Sequence, residues 1–206
     1  MNYLVHYTQM PSPITARQRM IDAALELFHQ RGVNGTSVDA VLEASSTGKS
    51  QFSHYFKTKE GLIHAVLQHL HELIRDGRSA SRYGVRTWEE LDGWFDRFLE
   101  FQHGVGYAKS CPLGTIGNDV TDEQPLLRQD VRLFFQWCRA TLARFFAERR
   151  AAGELSNEAD PDGLADLLIV VAQGGMLVTK VTRSPDAFRS AAAQALAHVK
   201  SLRRTA

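Results

Sequence analysis

The run Lys49, Ser50, Gln51, Phe52, Ser53, His54, Tyr55, Phe56 mixes side chains that can address base edges and phosphates with two that cannot. Lys49 is a point charge, Gln51 and His54 combine donor and acceptor, and Ser50 and Ser53 carry short hydroxyls. Phe52 and Phe56 stand four apart and mark the inward side of a short helix resting on a small core. From Ser45 to Lys59 there is no Asp or Glu, and there are three lysines, Lys49, Lys57 and Lys59. Positive charge therefore gathers where phosphate contacts would be made. The surplus is modest: over residues 1–59, Arg17, Arg19, Arg31 and these lysines stand against Asp22, Glu26, Asp39 and Glu43. The same pattern also suits a solvated face of an all-helical protein.

Other chemistries are weaker in the sequence. His64, His69 and His71 invite a metal, but spacings of five and two place them on different sides of a helix, so no metal site is expected. Cys111 follows a glycine-broken helix end and precedes Pro112, a setting in which a helix N-terminus would lower its pKa. An inert buried thiol fits equally. Cys138 lies mid-helix beside Trp137 and reads as core. No G-x-S-x-G, phosphate-binding loop, HExxH or dinucleotide glycine fingerprint occurs, so an enzyme is not expected, and neither is a cofactor. Most of the aromatic residues fall between 88 and 146. Aromatics line apolar ligand sites as well as cores, and Trp94, Phe98, Phe134 and Trp137 are the candidates for a cavity wall.

These residues need helices to hold them. The 206 residues, 44% hydrophobic and 23% charged, with a net charge of +1, describe a globular chain of one or two domains. The two cysteines suggest a reducing compartment rather than a disulfide framework. The longest uncharged stretch, Leu167 to Thr179, is short of a bilayer span, and no secretory leader is legible, so a cytoplasmic protein without membrane partner is expected. Residues 1–13 read as a mobile arm. Thr15 and Gln18 are spaced as a capping box for a helix that stops at Gly32, and Thr36–Ser37 open a short helix to Ala44. Ser45 to Gly48 is a turn, Lys49 to Tyr55 a second short helix, and Thr58 caps a longer one. Thr87 and Glu90 form another box before a helix broken at Gly104 and Gly106. The stretch Cys111 to Asn118 is expected to be irregular. Pro125 starts a long helix to about Ala152, and Asp160–Pro161 and Ser184–Pro185 start two more, over roughly 161–183 and 185–203. No period-2 segment competes, so the chain is expected to be all-α.

Three short helices with a tight turn before the third are the parts of a helix-turn-helix. Two runs, "IDAALELFHQRGVNGTSVDAVLEAS" and "TGKSQFSHYFKTKEGLIHAVL", resemble the DNA-binding domain of the tetracycline-repressor family of transcription regulators. Three positions depart from the family pattern: Ser46 stands where the turn usually carries Gly, Ser53 where an aromatic often touches phosphate, and Gly48 where a Ser or similar residue is common. The resemblance implies a helix-turn-helix domain over 14–57 and a helical sensor and dimerisation domain over 58–206. It also implies a palindromic double-stranded DNA operator and release by a small effector, here expected to be hydrophobic or aromatic. Lys49, Ser50, Gln51 and His54 are then the base or phosphate contacts, with Thr36, Tyr55 and Lys59 on the backbone. Trp94, Phe98, Cys111, Phe134 and Trp137 are the ligand-site candidates. The run from Cys111 also resembles a subgroup in which a cysteine senses electrophiles or oxidants, which leaves a thiol switch as the alternative signal. The last two helices, carrying Leu164, Leu167, Leu168, Val171, Leu177, Val178 and then Phe188, Ala192, Ala195, Leu196, Val199, are expected to form the homodimer contact, with Gly174–Gly175 allowing close approach. An internal core would use the same residues. Lys200, Arg203 and Arg204 read as a solvated helix end.

Overall fold

Threonine and serine caps decide where several helices begin. The hydroxyls of Thr15, Ser37, Thr58 and Thr87, each on extended backbone, accept the N–H three residues on. The computed structural model describes residues 14–78 and 83–204, so the expected arm over 1–13 lies outside the described residues. The helices are α1 (Ala16–Arg31), α2 (Val38–Ser45), α3 (Lys49–Tyr55), α4 (Lys59–Arg75) and α5 (Trp88–Asp92). They continue as α6 (Trp94–Gly104), α7 (Pro112–Asp119), α8 (Pro125–Ala151), α9 (Pro161–Thr182) and α10 (Asp186–Ser201). The chain is all-α, and the described residues hold no strand beyond one isolated bridge between Leu155 and Arg203.

Three local expectations change. The capping boxes at Thr15 and Thr87 are half-formed: the Gln18 amide turns to Asp22 and His69, and the Glu90 carboxylate takes the Arg86 N–H. Residues 112–119, expected to be irregular, form α7, because Pro112 suits a first helical turn and lacks the N–H that would go unpaired there. The chain end is not a free solvated tail. The Arg203 guanidinium lies 4.2 Å over the Trp88 ring, Lys200 pairs with Asp92 at 3.3 Å, and the Arg204 N–H donates to the Glu154 carbonyl.

α1, α2 and α3 close over Met20, Ile21, Ala24, Phe28, Val41, Leu42, Phe52 and Phe56, all buried. α4 leaves this head and crosses onto α8, and α8 and α10 both pack on α9. Of α9, Leu164, Ala165, Leu168, Ala172, Gly175, Met176 and Thr179 face inward. The α10 residues Phe188, Ala192, Ala195 and Val199 are buried against the rest of the same chain. The apolar stripe of α10 therefore serves the internal core, while α9 keeps a second apolar face, Val170, Leu177, Val178 and Val181, exposed. That double-sidedness explains why α9, with a mean hydropathy of 1.6, is the one described helix long and apolar enough to cross a membrane by length and composition. The uncharged run is shorter than a bilayer span, but the whole helix is not. Its Asp162, Asp166 and Lys180, and its contacts with α8 and α10, are those of a core helix with one bare side.

Candidate nucleic-acid interface and sensor cavity

α3 divides its side chains as the sequence requires. Lys49, Ser50, Gln51, Ser53, His54 and Tyr55 are exposed, whereas Phe52 and Phe56 are buried with ring centroids 5.8 Å apart. The turn before it is made by Ser46 in the left-handed region at φ 51°. Glycine adopts that geometry without strain, and serine pays about 1 kcal/mol for it. Lys49 pairs across the turn with Asp39 at 3.3 Å, both largely exposed, an interaction worth little by itself. The Gln51 Oε1 accepts the Gly48 N–H, and His54 meets the Tyr55 ring edge-on. Arg17, at the start of α1, places its guanidinium 5.8 Å from the Phe56 ring centroid, so a further cation stands at the end of α3. Sequence reading passes over Arg17 because 39 residues separate it from Phe56 and only packing of the three helices brings them together.

Thr36 is a correction. It is 1% exposed, and its hydroxyl donates to the Leu27 and Gly32 carbonyls, so its side chain is a strap inside the α1–α2 loop and cannot face a phosphate. Lys59 is half-buried, with its ammonium on the Val33 carbonyl at 2.7 Å. That loop is also held from the other half of the molecule. The Asp119 carboxylate, at the end of α7, accepts the N–H of Val33 at 2.6 Å and of Asn34 at 3.2 Å. Gly32 has φ 74°, and a methyl there would come within 2.8 Å of Asp119 Oδ2, so glycine is required twice over. Two more links join α1 to the same segment: Lys109 to Glu26 at 2.6 Å, and the ring of His29 to the Ser110 carbonyl at 2.6 Å. His29 is buried and stacks parallel to Phe101. Burial first, then the positive charges of Lys109 and Lys180, hold its pKa below the usual histidine value, with the Ser110 bond opposing them. The Nε2–H of the ring donates to the Ser110 carbonyl.

The aromatic candidates do not surround a void. Trp94, Phe98 and Phe134 close on Tyr83 with centroid separations of 5.9, 5.7 and 5.7 Å, and all four are essentially fully buried. Edge-to-face packing at these distances fills the space, so these residues are core rather than cavity wall. Cys111 is 2% exposed beside them. Burial, and then the Cys111 and Cys138 sulfurs, raise the Tyr83 phenol well above its ordinary pKa, and burial likewise pushes the Cys138 thiol up. Trp137 is half-buried and does line a cleft, with Arg86 and Arg144. The cavity lies elsewhere. About 660 Å3 opens between the end of α1, α7, α8 and α9, with Phe135, Val131 and Leu177 as its apolar wall. Its polar lining includes Arg31, Lys180, Asp119, Gln173 and Thr115. Gln173 ties it to the aromatic core by donating to the Tyr83 hydroxyl at 3.0 Å.

The histidines of α4 have different partners. His64 meets the buried Asp130 at 2.6 Å, His69 meets Gln18 and Asp22, and His71 packs edge-on against Phe134 and Trp137. Among the described residues no group of three or more metal-ligating side chains is gathered.

A three-helix head with a polar, exposed third helix, joined to a helical bundle with a cavity at the junction, is the build of a ligand-responsive helix-turn-helix transcription regulator. Comparison with known proteins agrees. Residues 20–66 match the family of bacterial regulatory proteins named tetR, and residues 87–195 match the tetracyclin repressor-like C-terminal domain. The chain belongs to the tetracycline-repressor family, whose members regulate transcription and are not enzymes. It is 30% identical over 196 residues to transcriptional regulator AcuR of Cereibacter sphaeroides, covering 87% of this chain and 83% of that one. It is 26% identical over 171 residues to the transcriptional repressor DhaR of Mycobacterium sp. strain GP1, covering 82% and 84%. Its fold matches the crystal structure of a regulatory protein TetR from Rhodobacter sphaeroides with a TM-score of 0.71 at 25% identity, covering 87% of this chain and 96% of that one.

Proposed function

We propose that this regulator is a homodimeric repressor that binds a palindromic operator through α3 and is released by a small hydrophobic or aromatic effector. The observation that carries the reading is the division of α3 into a fully exposed polar face and two buried phenylalanines beneath it. Lys49, Ser50, Gln51 and His54 address bases and nearby phosphates, Tyr55 and Lys59 address the backbone, and Arg17 joins them from α1. The DNA-binding head is taken as 14–57 and the sensor half as 58–206. The partner copy covers the bare face of α9, where Val170, Leu177, Val178 and Val181 are exposed. A two-fold pair sets two α3 helices one DNA turn apart, about 34 Å, or a multiple of it.

The effector site is the cavity among α1, α7, α8 and α9. A ligand there touches α7, whose Asp119 grips the α1–α2 loop, so occupancy biases the position of the head. A small difference in affinity between two head positions, about 1–3 kcal/mol, is enough to switch. Burial of Cys111 weighs against the thiol switch, because an electrophile needs access to a thiolate. The compartment is the cytoplasm, where the DNA is.

The test is fluorescence anisotropy on a duplex selected by the protein from random-sequence DNA, at several salt concentrations. Lys49→Ala and Lys59→Ala should each weaken binding and lower the log–log salt slope by roughly one per half-site. Unchanged affinity in both variants removes the assignment of α3.

A further inference from the structure

The charge around the junction cavity is uneven in a way that the core of the molecule does not need. Arg31 ends α1 and belongs to the DNA-binding head; Lys180 lies near the end of α9 and belongs to the sensor half. Both line the same cavity. Neither forms an ion pair among the described residues. The one acid lining the cavity, Asp119, accepts the N–H groups of Val33 and Asn34. Lys109, close by, is spent on Glu26. Two cations from two parts of the molecule thus face one half-enclosed space that holds a single carboxylate, leaving one positive charge in excess, beside an apolar wall of Phe135, Val131 and Leu177. A volume of about 660 Å3 is that of a site for a molecule of drug size, not for a lone inorganic ion.

We propose that the cavity binds an amphipathic organic acid, its anionic head between Arg31 and Lys180 and its aromatic or aliphatic body against Phe135, Val131 and Leu177. This rests on the reading of the cavity as the effector site and names the chemistry that the site selects. The arrangement also explains how a ligand reaches the head directly. An anion held by both cations attracts a residue of α1 and a residue of α9 at once, so the relative position of the two halves is bonded through the ligand. The same head group lies beside Asp119, and like-charge repulsion loosens the hold of that carboxylate on the α1–α2 loop. A neutral ligand of the same shape would gain the apolar contacts and neither of these effects.

The experiment titrates the full-length protein with 4-phenylbutyrate, phenylacetate and hexanoate by isothermal calorimetry, each beside its primary amide. At least one acid should bind ten-fold or more tighter than its amide, with an affinity that falls as salt rises. Arg31→Gln and Lys180→Gln should each cost that acid at least five-fold and leave the amide unchanged. Circular dichroism and affinity for the selected DNA report whether the variants remain folded. Acid and amide binding alike, no acid binding at all, or an acid affinity untouched by both substitutions would each overturn the proposal. A wild-type protein that selects and binds DNA while showing no preference for acids loses this inference and keeps the regulator reading. One that prefers acids but selects no DNA does the reverse.

Discussion

Gly174 and Gly175 are neighbours on α9, and alanine should act oppositely at the two. By helix propensity alone, alanine in the middle of a helix is worth about 0.5–1 kcal/mol over glycine at either position. At Gly174 the space for a methyl is open, with no atom within 4 Å. At Gly175 the methyl carbon would lie 2.1 Å from Phe188 Cδ2 and 2.5 Å from its Cγ, where ordinary contact begins at 3.4 Å. The Phe188 ring must recede by more than an ångström, yet it is fully buried and meets Phe95 edge-on at 5.8 Å. Either α9 and α10 part or the ring leaves its rotamer, and overpacking of that kind costs about 1–3 kcal/mol or more. After the propensity gain, Gly175→Ala should be destabilised by roughly 1–2 kcal/mol, a fall in Tm of about 2–8 °C for a chain of this size. Gly174→Ala should rise by about 1–4 °C. Calorimetric melts at one fixed protein concentration are the assay, because association itself shifts Tm. A Gly175→Ala protein that melts at or above the wild type refutes the close-approach argument, as does a Gly174→Ala protein that falls equally far.

Thr36→Val removes a buried hydroxyl that donates to two carbonyls and should cost about 1 kcal/mol in urea melts while leaving the DNA salt slope unchanged; a reduced slope would put Thr36 back at the interface. Asp119→Ala leaves the Val33 and Asn34 N–H groups without their acceptor and should cost about 1–3 kcal/mol, with faster hydrogen exchange at those two amides; protection equal to wild type would show that Asp119 does not hold the loop. Because the folded pKa of His29 is depressed, the unfolded chain binds the proton more readily. The contribution of His29 is thus complete above 6.5 and is lost as pH falls from there toward the folded value; His29→Gln should flatten that part of the pH–stability curve, and an unaltered curve would exclude His29 as a source. Val181→Asp on the bare face of α9 should give a monomer by light scattering, since a carboxylate buried in the dimer contact would be desolvated without a partner; a dimer of wild-type strength would move the contact elsewhere.

Much of the architecture is legible in the residues themselves. Thr15, Ser37 and Thr58 fix helix starts because a hydroxyl satisfies an N–H that no helix can satisfy internally, and Gly32 ends α1 because φ 74° excludes other residues without strain. The inward Phe52 and Phe56 and the polar remainder of α3 follow from helical periodicity, which is a local property. Which aromatic side chains line a cavity is not local. Trp94, Phe98 and Phe134 have the composition of a ligand wall, yet Tyr83, distant in sequence from Phe134, fills the space between them. Thr36 shows the same limit, since a hydroxyl suits a phosphate or a carbonyl and only the path of the α1–α2 loop supplies the carbonyls. Arg17 on Phe56, Asp119 on Val33 and the meeting of Arg31 with Lys180 join residues dozens of positions apart. Hydrophobic patterning sets which face of each helix turns inward; the packing of the helices on one another decides which polar groups are left to meet, and whether a space remains between them.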